Sequence, residues 1–143
     1  EGFPIQLHQA RLARLAGADV NATWQAPRDL PWSAHVALSY VDAQDESGNT
    51  IPWTPPATGR FEVRRAWSGA GRSQGASSVV VEASRDAVLV HASTSWDWGE
   101  RIRLNAQVIN ATNVTYIPTL SLLRNVGMAE PGRNVRVQVV YTL

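Results

Sequence analysis

The chain of 143 residues contains neither cysteine nor lysine, and each absence excludes a kind of structure. Without cysteine, the protein is not a disulfide-framed miniprotein. Without lysine, no Lys–Asn isopeptide bond can join the chain to itself or to a copy. No apolar run approaches the roughly 18 residues that a membrane-crossing helix requires, which predicts that the chain has no membrane span. Any assembly must therefore be held by packing and hydrogen bonds.

Charge of one sign is not in excess either. All thirteen cations are arginine, and twelve acidic residues bring the net charge to +1. Arginine stays protonated and hydrogen-bonds as a planar fork, which suits ion pairs between packed surfaces. Proteins that bind DNA or RNA normally present a basic face, whereas positive charge clusters here only at Arg64–Arg65 and at the Arg11/Arg14 pair. We therefore predict no nucleic-acid partner.

The length fits a single domain. A folded chain of this size usually hides roughly 70% of the surface that its unfolded form exposes. Since 44% of the residues are apolar, we expect a hydrophobic core that needs no disulfide bond.

Alternation of apolar and polar residues, the pattern of a half-buried strand, dominates from about residue 18 onward. The clearest case is the C-terminal segment, in which Val135, Val137, Val139 and Tyr141 share one face. Five more segments alternate in the same way: Val20–Trp24, Val36–Tyr40, Phe61–Trp67, Val88–Trp98 and Ile102–Val108. Two further strands are predicted, one covered on both sides at Ser78–Ala83 and one at Tyr116–Leu123.

Turn residues separate these segments, at Asp45–Asn49, Pro52–Gly59, Gly69–Gly75 and Pro131–Gly132. Seven or eight short strands at this spacing are typical of an antiparallel β-sandwich or jelly roll. We therefore predict an all-β, antiparallel sandwich or jelly roll over residues 18–143, preceded by an N-terminal arm over residues 1–17.

The arm admits two structures, a short helix or an extended segment. Helical spacing relates Ile5, His8, Leu12 and Leu15, whereas strand-like alternation relates Phe3, Ile5 and Leu7. Isolated helices this short are marginal in water. Either form therefore needs a surface to lie on, which another copy of the chain could provide.

No catalytic motif has the structural context that its chemistry requires. The segment Gly71–Gly75 matches the G-x-S-x-G pattern of a nucleophile elbow, which needs a strand that turns into a helix. The residues after it predict a strand instead. Asp97 and Glu100 could form a carboxylate pair for glycoside hydrolysis, but an exposed charged turn is the favoured interpretation. We predict that the protein is not an enzyme and has no cofactor.

Metal-ligating patterns are equally weak. The three histidines lack the spacing of zinc ligands and lie far apart, at His8, His35 and His91. One turn could place oxygens around a calcium ion through Asp42, Asp45, Glu46 and Asn49. A solvated acidic turn is favoured there, because the order of an EF-hand loop is absent. We predict no metal site.

Six tryptophans make a binding module worth considering. Trp96 and Trp98 point the same way if Val88–Trp98 is one strand, and their flat rings could stack on sugars, so both are candidate glycan-binding residues. Packing in a core or an interface is the alternative role for such large rings. Three N-x-S/T sequons, at Asn21, Asn110 and Asn113, are candidate N-glycosylation sites if the chain is exported.

Three stretches resemble cysteine-free subunits of chaperone–usher pili: Leu30-Pro31-Trp32 leading into Ala34–Val41, Arg101–Thr112, and Pro131-Gly132 followed by Asn134–Leu143. Small phage decoration or cement jelly rolls look similar. The resemblance implies assembly by strand exchange, in which an extended segment adds to the sheet edge of the next copy. One departure is that the first fifteen residues lack the four or five alternating apolar residues of a donor strand.

We therefore expect a non-catalytic structural subunit of a pilus or filament, at the cell surface or outside the cell, whose partners are copies of itself or a neighbouring structural protein. Two alternatives remain open, a virion decoration or cement protein and a carbohydrate-binding module. A first residue other than methionine favours an exported chain. The expected assembly contacts are Phe3, Ile5, Leu7, Leu12, Leu15, Val20, Trp24, Val135, Val137, Val139 and Tyr141.

Overall fold

The computed structural model describes residues 12–27, 30–69 and 73–143, and seven strands account for most of them. The strands are β1 (Ala13–Gln25), β2 (Trp32–Asp45), β3 (Thr58–Ser68), β4 (Ser73–Ser84), β5 (Val88–Trp98), β6 (Ile102–Ile109) and β7 (Asn134–Tyr141). A short 3₁₀ helix, Leu122–Val126, lies in the connection between β6 and β7. No helix of the described residues is long and apolar enough to cross a membrane.

All seven strands belong to one sheet, in the order in which they occur along the chain. Each neighbouring pair is antiparallel. Among these elements, each strand contacts only the strands next to it in sequence. The predicted class, all-β and antiparallel with seven to eight strands, is confirmed.

The pairing register assigns every strand residue to one of two faces, because residues directly opposite each other in neighbouring strands share a face. The apolar face, as we define it, contains Val36 of β2 and all strand residues in register with it. On β2 and β7 its apolar members are Trp32, Ala34, Val36, Leu38, Tyr40, Val135, Val137, Val139 and Tyr141. The opposite face, the polar face, contains the intervening residues, such as Arg60, Glu82 and Arg103.

The apolar residues of this sheet are mostly uncovered. Among the described residues, Ala43, Ala76 and Val80 are the buried hydrophobic ones, and all three lie on the polar face. The accessible surface is 11403 Å² for a chain of 15.6 kDa, against about 7,200 Å² for a typical folded monomer of that mass. The expected hydrophobic core is therefore not formed within this sheet.

Most predicted strands are found, but two predictions are wrong in detail. Tyr116–Leu123 is not a strand, because it contains turns and the start of the 3₁₀ helix. Ser78–Ala83 does lie in β4, but it is not covered on both sides, since Val79 is 50% exposed on the apolar face.

The predicted N-terminal arm lies mainly outside the described residues. Its predicted assembly contacts Phe3, Ile5 and Leu7 are among the residues that are not described. Its last five residues, 13–17, form the beginning of β1 and pair with β2. Leu15 is therefore extended and exposed, and β1 runs across the boundary placed between residues 17 and 18.

Candidate functional site: the two faces of the sheet

Five of the six tryptophans lie on the apolar face, near the end of the sheet where β1, β3 and β5 finish. They form the aromatic row, which consists of Trp24, Trp32, Trp67, Trp96 and Trp98. Alternation alone puts each of them on this face of its strand. The pairing register then brings them close together across four neighbouring strand pairs.

The aromatic row crosses the sheet diagonally. Trp24 lies opposite Ala34, two residues beyond Trp32 on β2. Trp32 in turn lies opposite Arg65, two residues before Trp67 on β3. From Trp24 to Trp98 the row moves by six residues along the strands while it crosses four strand spacings. Those distances are about 20 Å and about 19 Å, so the row makes an angle of about 45° with the strands.

Ring contacts join three members of the aromatic row, and a fourth has a cation over its ring. Trp67 and Trp96 meet edge to face, with centroids 5.8 Å apart and an interplanar angle of 70°. Trp96 and Trp98 are stacked, with centroids 6.0 Å apart and an angle of 11°. The guanidinium carbon of Arg65 lies 5.3 Å from the ring centroid of Trp32. Such contacts order the rings without burying them, and Trp98 is still 68% exposed.

An apolar band extends from the aromatic row towards the other end of the sheet. On β2 it begins at Trp32, continues through Ala34, Val36 and Leu38, and ends at Tyr40. These eight residue steps correspond to about 26 Å along the strand. Along β2, an aromatic ring therefore lies at each end of the apolar band.

The polar face carries the charged side chains in paired positions. Arg60 of β3 forms an ion pair with Glu82 directly opposite on β4, and a second one with Glu62 at 3.3 Å. The Nε2 atom of His91 on β5 lies 3.5 Å from the other oxygen of Glu82. This cluster, Glu62–Arg60–Glu82–His91, joins three strands on one face.

The tautomer of His91 follows from its second contact. The backbone N–H of Asn110 donates a hydrogen bond to Nδ1 of His91 at 3.2 Å. A neutral imidazole that accepts at Nδ1 carries its proton on Nε2. His91 therefore accepts a hydrogen bond from the β6–β7 connection at Nδ1, whereas its buried Nε2 atom has no hydrogen-bond partner among the described residues.

A further ion pair links β5 and β6 at the other end of the polar face. Arg103 contacts Asp97 with two nitrogens, at 2.5 Å and 3.1 Å. Asp97 is therefore a paired carboxylate, and this pairing accounts for one member of the carboxylate pair considered for glycoside hydrolysis.

The connection over residues 110–133 has a defined structure near the sheet. The side chain of Asn110, only 2% exposed, exchanges two hydrogen bonds with the backbone of Val114, at 2.7 Å and 2.9 Å. Asn113 accepts a hydrogen bond from the backbone N–H of Arg133 at 2.8 Å, which closes the base of the connection. Asn110 and Asn113 have positive φ angles of 52° and 57°, a conformation that asparagine tolerates better than most residues.

The same connection is tied to the β4–β5 turn. Asp86 accepts hydrogen bonds from both the backbone N–H and the hydroxyl of Thr119, each at 2.6 Å. These two bonds hold the pKa of Asp86 below its ordinary value. Tyr116, whose pKa is raised by burial, lines a cavity of about 460 Å³ together with Arg60 and Glu82. The connection thus bends over the polar face.

The predicted assembly residues that lie in the described strands are exposed. Val20, Trp24, Val135, Val137, Val139 and Tyr141 share the apolar face, whereas Leu15 belongs to the polar face of β1. Leu12, 77% exposed, precedes β1. The register does not bring the predicted assembly residues of β1 close to those of β7, because β1 and β7 form opposite edges of the sheet.

The other predicted positions have ordinary structural surroundings. Asp45 caps its own turn by accepting backbone hydrogen bonds from Ser47 and Asn49, both at 2.9 Å. Ser73 begins β4 rather than a helix, while Gly71 and Arg72 lie outside the described residues. Among the described residues, no group of three or more acidic or histidine side chains could hold a metal ion. The sequon residue Asn21 lies on the polar face of β1 and lines the same cavity as Tyr116.

Sequence reasoning missed the continuity of the apolar face. Its signal was present in every strand as alternation, but each strand was assumed to cover another layer. Trp32 and Trp67 were not linked to Trp96 and Trp98, because only the pairing register places them in one row.

Comparisons with known proteins bear on the fold. No protein-family model matches the sequence, and no curated protein matches it. Among solved structures, the chain is similar to one described as "Copper transporter OprC", with a TM-score of 0.70 and 19% sequence identity. The match covers 92% of this chain and 24% of that chain, so this chain spans about a quarter of the transporter's length. At this identity the likeness shows the fold alone.

Proposed function

We propose that the chain is part of the wall of a closed antiparallel sheet that crosses a membrane, in a protein of the transporter kind. The observation that carries this proposal is the apolar face, which continues over all seven strands and which no described part of the chain covers. In water such a face would be a large unprotected hydrophobic surface. In a bilayer the same face would contact lipid chains.

Strand length and tilt support the proposal. Closed membrane-spanning sheets have strands tilted by roughly 35–45°, an outer apolar band about 25 Å tall and aromatic residues at both of its borders. The aromatic row makes an angle of about 45° with the strands, so tilting by that amount would place its members at one depth. The band on β2 runs from Trp32 to Tyr40, and its length of about 26 Å along the strand falls to about 20 Å along the normal at a 40° tilt.

The unpaired edges of the sheet also support it. Among the described residues, the outer edges of β1 and β7 have no neighbouring strand. Exposed edges promote pairing with further strands, and closure is the arrangement that removes them altogether. The similar transporter is about four times as long as this chain, so a larger sheet of that kind has room for strands at both edges.

Paired positions on β2 provide the test. The chain has no cysteine, so single cysteines at residues 36, 37, 38 and 39 can each carry one spin label within it. In the membrane-bound protein, labels at 36 and 38 should collide more with dissolved oxygen, which concentrates in lipid. Labels at 37 and 39 should collide more with a water-soluble nickel chelate. Equal access of the chelate to all four positions would overturn the proposal.

A second candidate function, assembly of copies through strand pairing, is favoured by the same free edges. The exposed, alternating residues Val135, Val137 and Val139 lie on one of the two edge strands. This candidate predicts filaments or particles that form without lipid, visible by electron microscopy of the purified protein. Spin labels at residues 36 and 38 would then lose contact with the nickel chelate on assembly in the absence of a membrane.

A further inference from the structure

Charged residues on the apolar face occur at three positions in the seven strands, and one of them interrupts the aromatic row. Arg14 and Asp42 lie at the far end of the β1–β2 hairpin, away from the tryptophans. Arg65 lies beside Trp32 and two residues before Trp67. The guanidinium of Arg65 is therefore the one charge of this face that lies among the tryptophans, and its position needs a physical reason.

Two hydroxyl groups lie in line with Arg65 on the next two strands. The residue directly opposite on β4 is Ser77, and opposite Ser77 on β5 is Thr94. The two hydroxyl oxygens are 3.0 Å apart, and the indole N–H of Trp67 donates to Ser77 at 3.4 Å. One cation and two hydroxyls thus form a polar strip beside the tryptophans, away from the other charged residues of this face.

The strip borders an open cavity of about 360 Å³. Its lining includes the rings of Trp32 and Trp67 beside Arg65, and the side chains of Val63 and Val79 one step further from the aromatic row. The cavity therefore has a polar end and an apolar end, and the apolar end points towards the middle of the band.

Arg65 forms no ion pair with a described carboxylate, and its contact is with the face of Trp32. In apolar surroundings a guanidinium without an anion carries a desolvation cost. Its planar fork matches the oxygens of a phosphate group, and a serine hydroxyl can donate to the same group.

We propose that Arg65 and Ser77 bind the phosphate group of a membrane phospholipid, with an acyl chain lying against Val63 and Val79. This inference rests on the proposed membrane location of the apolar face. The occupant is a lipid rather than free phosphate, because the apolar end of the cavity continues directly from the polar end. Trp32 and Trp67 flank the head group, where aromatic rings are favoured at a membrane border.

Native mass spectrometry of the detergent-extracted protein tests the site. The probes are phosphatidylglycerol, diacylglycerol with the same acyl chains, and inorganic phosphate. Arg65→Gln should reduce phosphatidylglycerol adducts about tenfold, while Arg64→Gln, the adjacent exposed arginine on the polar face, should leave them unchanged. Arg65→Lys keeps the charge without the fork and should give an intermediate loss.

Three outcomes would overturn the inference. The first is an unchanged adduct level in Arg65→Gln, and the second is equal binding of diacylglycerol. The third is displacement of the lipid by millimolar inorganic phosphate, which would indicate a site for free phosphate. Spin labels at residues 36 and 38 of the same variants report separately whether the apolar face contacts lipid. A failure of the lipid site is therefore distinguishable from a failure of the membrane proposal.

Discussion

The two faces of the sheet share one backbone but differ in the burial and contacts of their side chains. The polar face contains the buried alanines and valine, the cross-strand ion pairs and the cavity beneath Tyr116. The apolar face has large exposed side chains, and three of its tryptophans contact one another. A water-soluble sheet protein normally buries its apolar side. The reversed distribution is the observation on which the proposed membrane location of the apolar face rests.

The largest loss of stability should come from placing a charge on the apolar face, with the same charge on the polar face as the control. Val36→Arg puts a guanidinium midway between Trp32 and Tyr40 and should destabilise the membrane-inserted protein by about 2–4 kcal/mol. His35→Arg adds the charge to the polar face, opposite Glu62, and should have little effect. Urea titration in lipid vesicles, followed by tryptophan fluorescence, measures both variants. Equal losses of stability would remove the distinction between the faces.

Trp96 should contribute more than Trp98 to the stability of the protein. Trp96 contacts two other rings, whereas Trp98 stacks on Trp96 alone. Since an aromatic pair is worth about 0.5–1.5 kcal/mol, Trp96→Ala should cost about 1–3 kcal/mol and Trp98→Ala about half as much. The same urea titration measures the ratio. A larger loss in Trp98→Ala would show that ring contacts do not order this surface.

On the polar side, the Asp86–Thr119 contact should fix the 110–133 connection. Asp86→Asn removes a charged acceptor of two hydrogen bonds, and we expect a local loss of about 1–2 kcal/mol. Because the folded pKa is lowered, the stabilisation is present above the ordinary value of 3.8 and is lost as pH falls through the folded pKa.

Hydrogen exchange of the backbone of residues 116–130 reports that contact. In the parent protein, protection should fall with acid below about pH 3.8. In Asp86→Asn it should be lower at neutral pH and should lack this acid-dependent step. An identical acid profile in both proteins would assign the step to another carboxyl group.

The smallest effect is expected at the exposed Asp97–Arg103 pair. Arg103→Gln should leave the midpoint of urea unfolding almost unchanged, because an ion pair at the surface of a sheet contributes little to stability. The same urea titration measures this variant, with Arg136→Gln as a control on the same face. A loss of stability as large as that of Val36→Arg would show that the contact is more than an exposed ion pair.

Alternation predicted strand identity well, because it is a property of single segments. The segments at Phe61–Trp67, Val88–Trp98 and Ile102–Val108 all lie in strands. Alternation does not specify what the apolar side faces, since a second protein layer and a lipid phase leave the same pattern. The sequence argument against a membrane span concerned only long apolar runs, which tilted strands do not require.

The candidate site was less predictable, because it depends on residues that meet through pairing. Trp96 and Trp98 were singled out, and they do share one face of β5. Their proximity to Trp67, and the alignment of Arg65 with Ser77, depend on the register of two other strand pairs. Tyr116–Leu123 failed as a strand partly because Thr119 bonds to Asp86, 33 positions earlier in the chain, a contact without a local signal.

Each of the seven described strands contacts, among these strands, only its neighbours in sequence, and this simple connectivity has an evolutionary consequence. A hairpin can be duplicated or deleted without rethreading the remaining chain, since no other strand passes between its two members. Proteins with this layout can therefore widen or narrow in steps of two strands, and only the strand pairs at the point of change have to be remade.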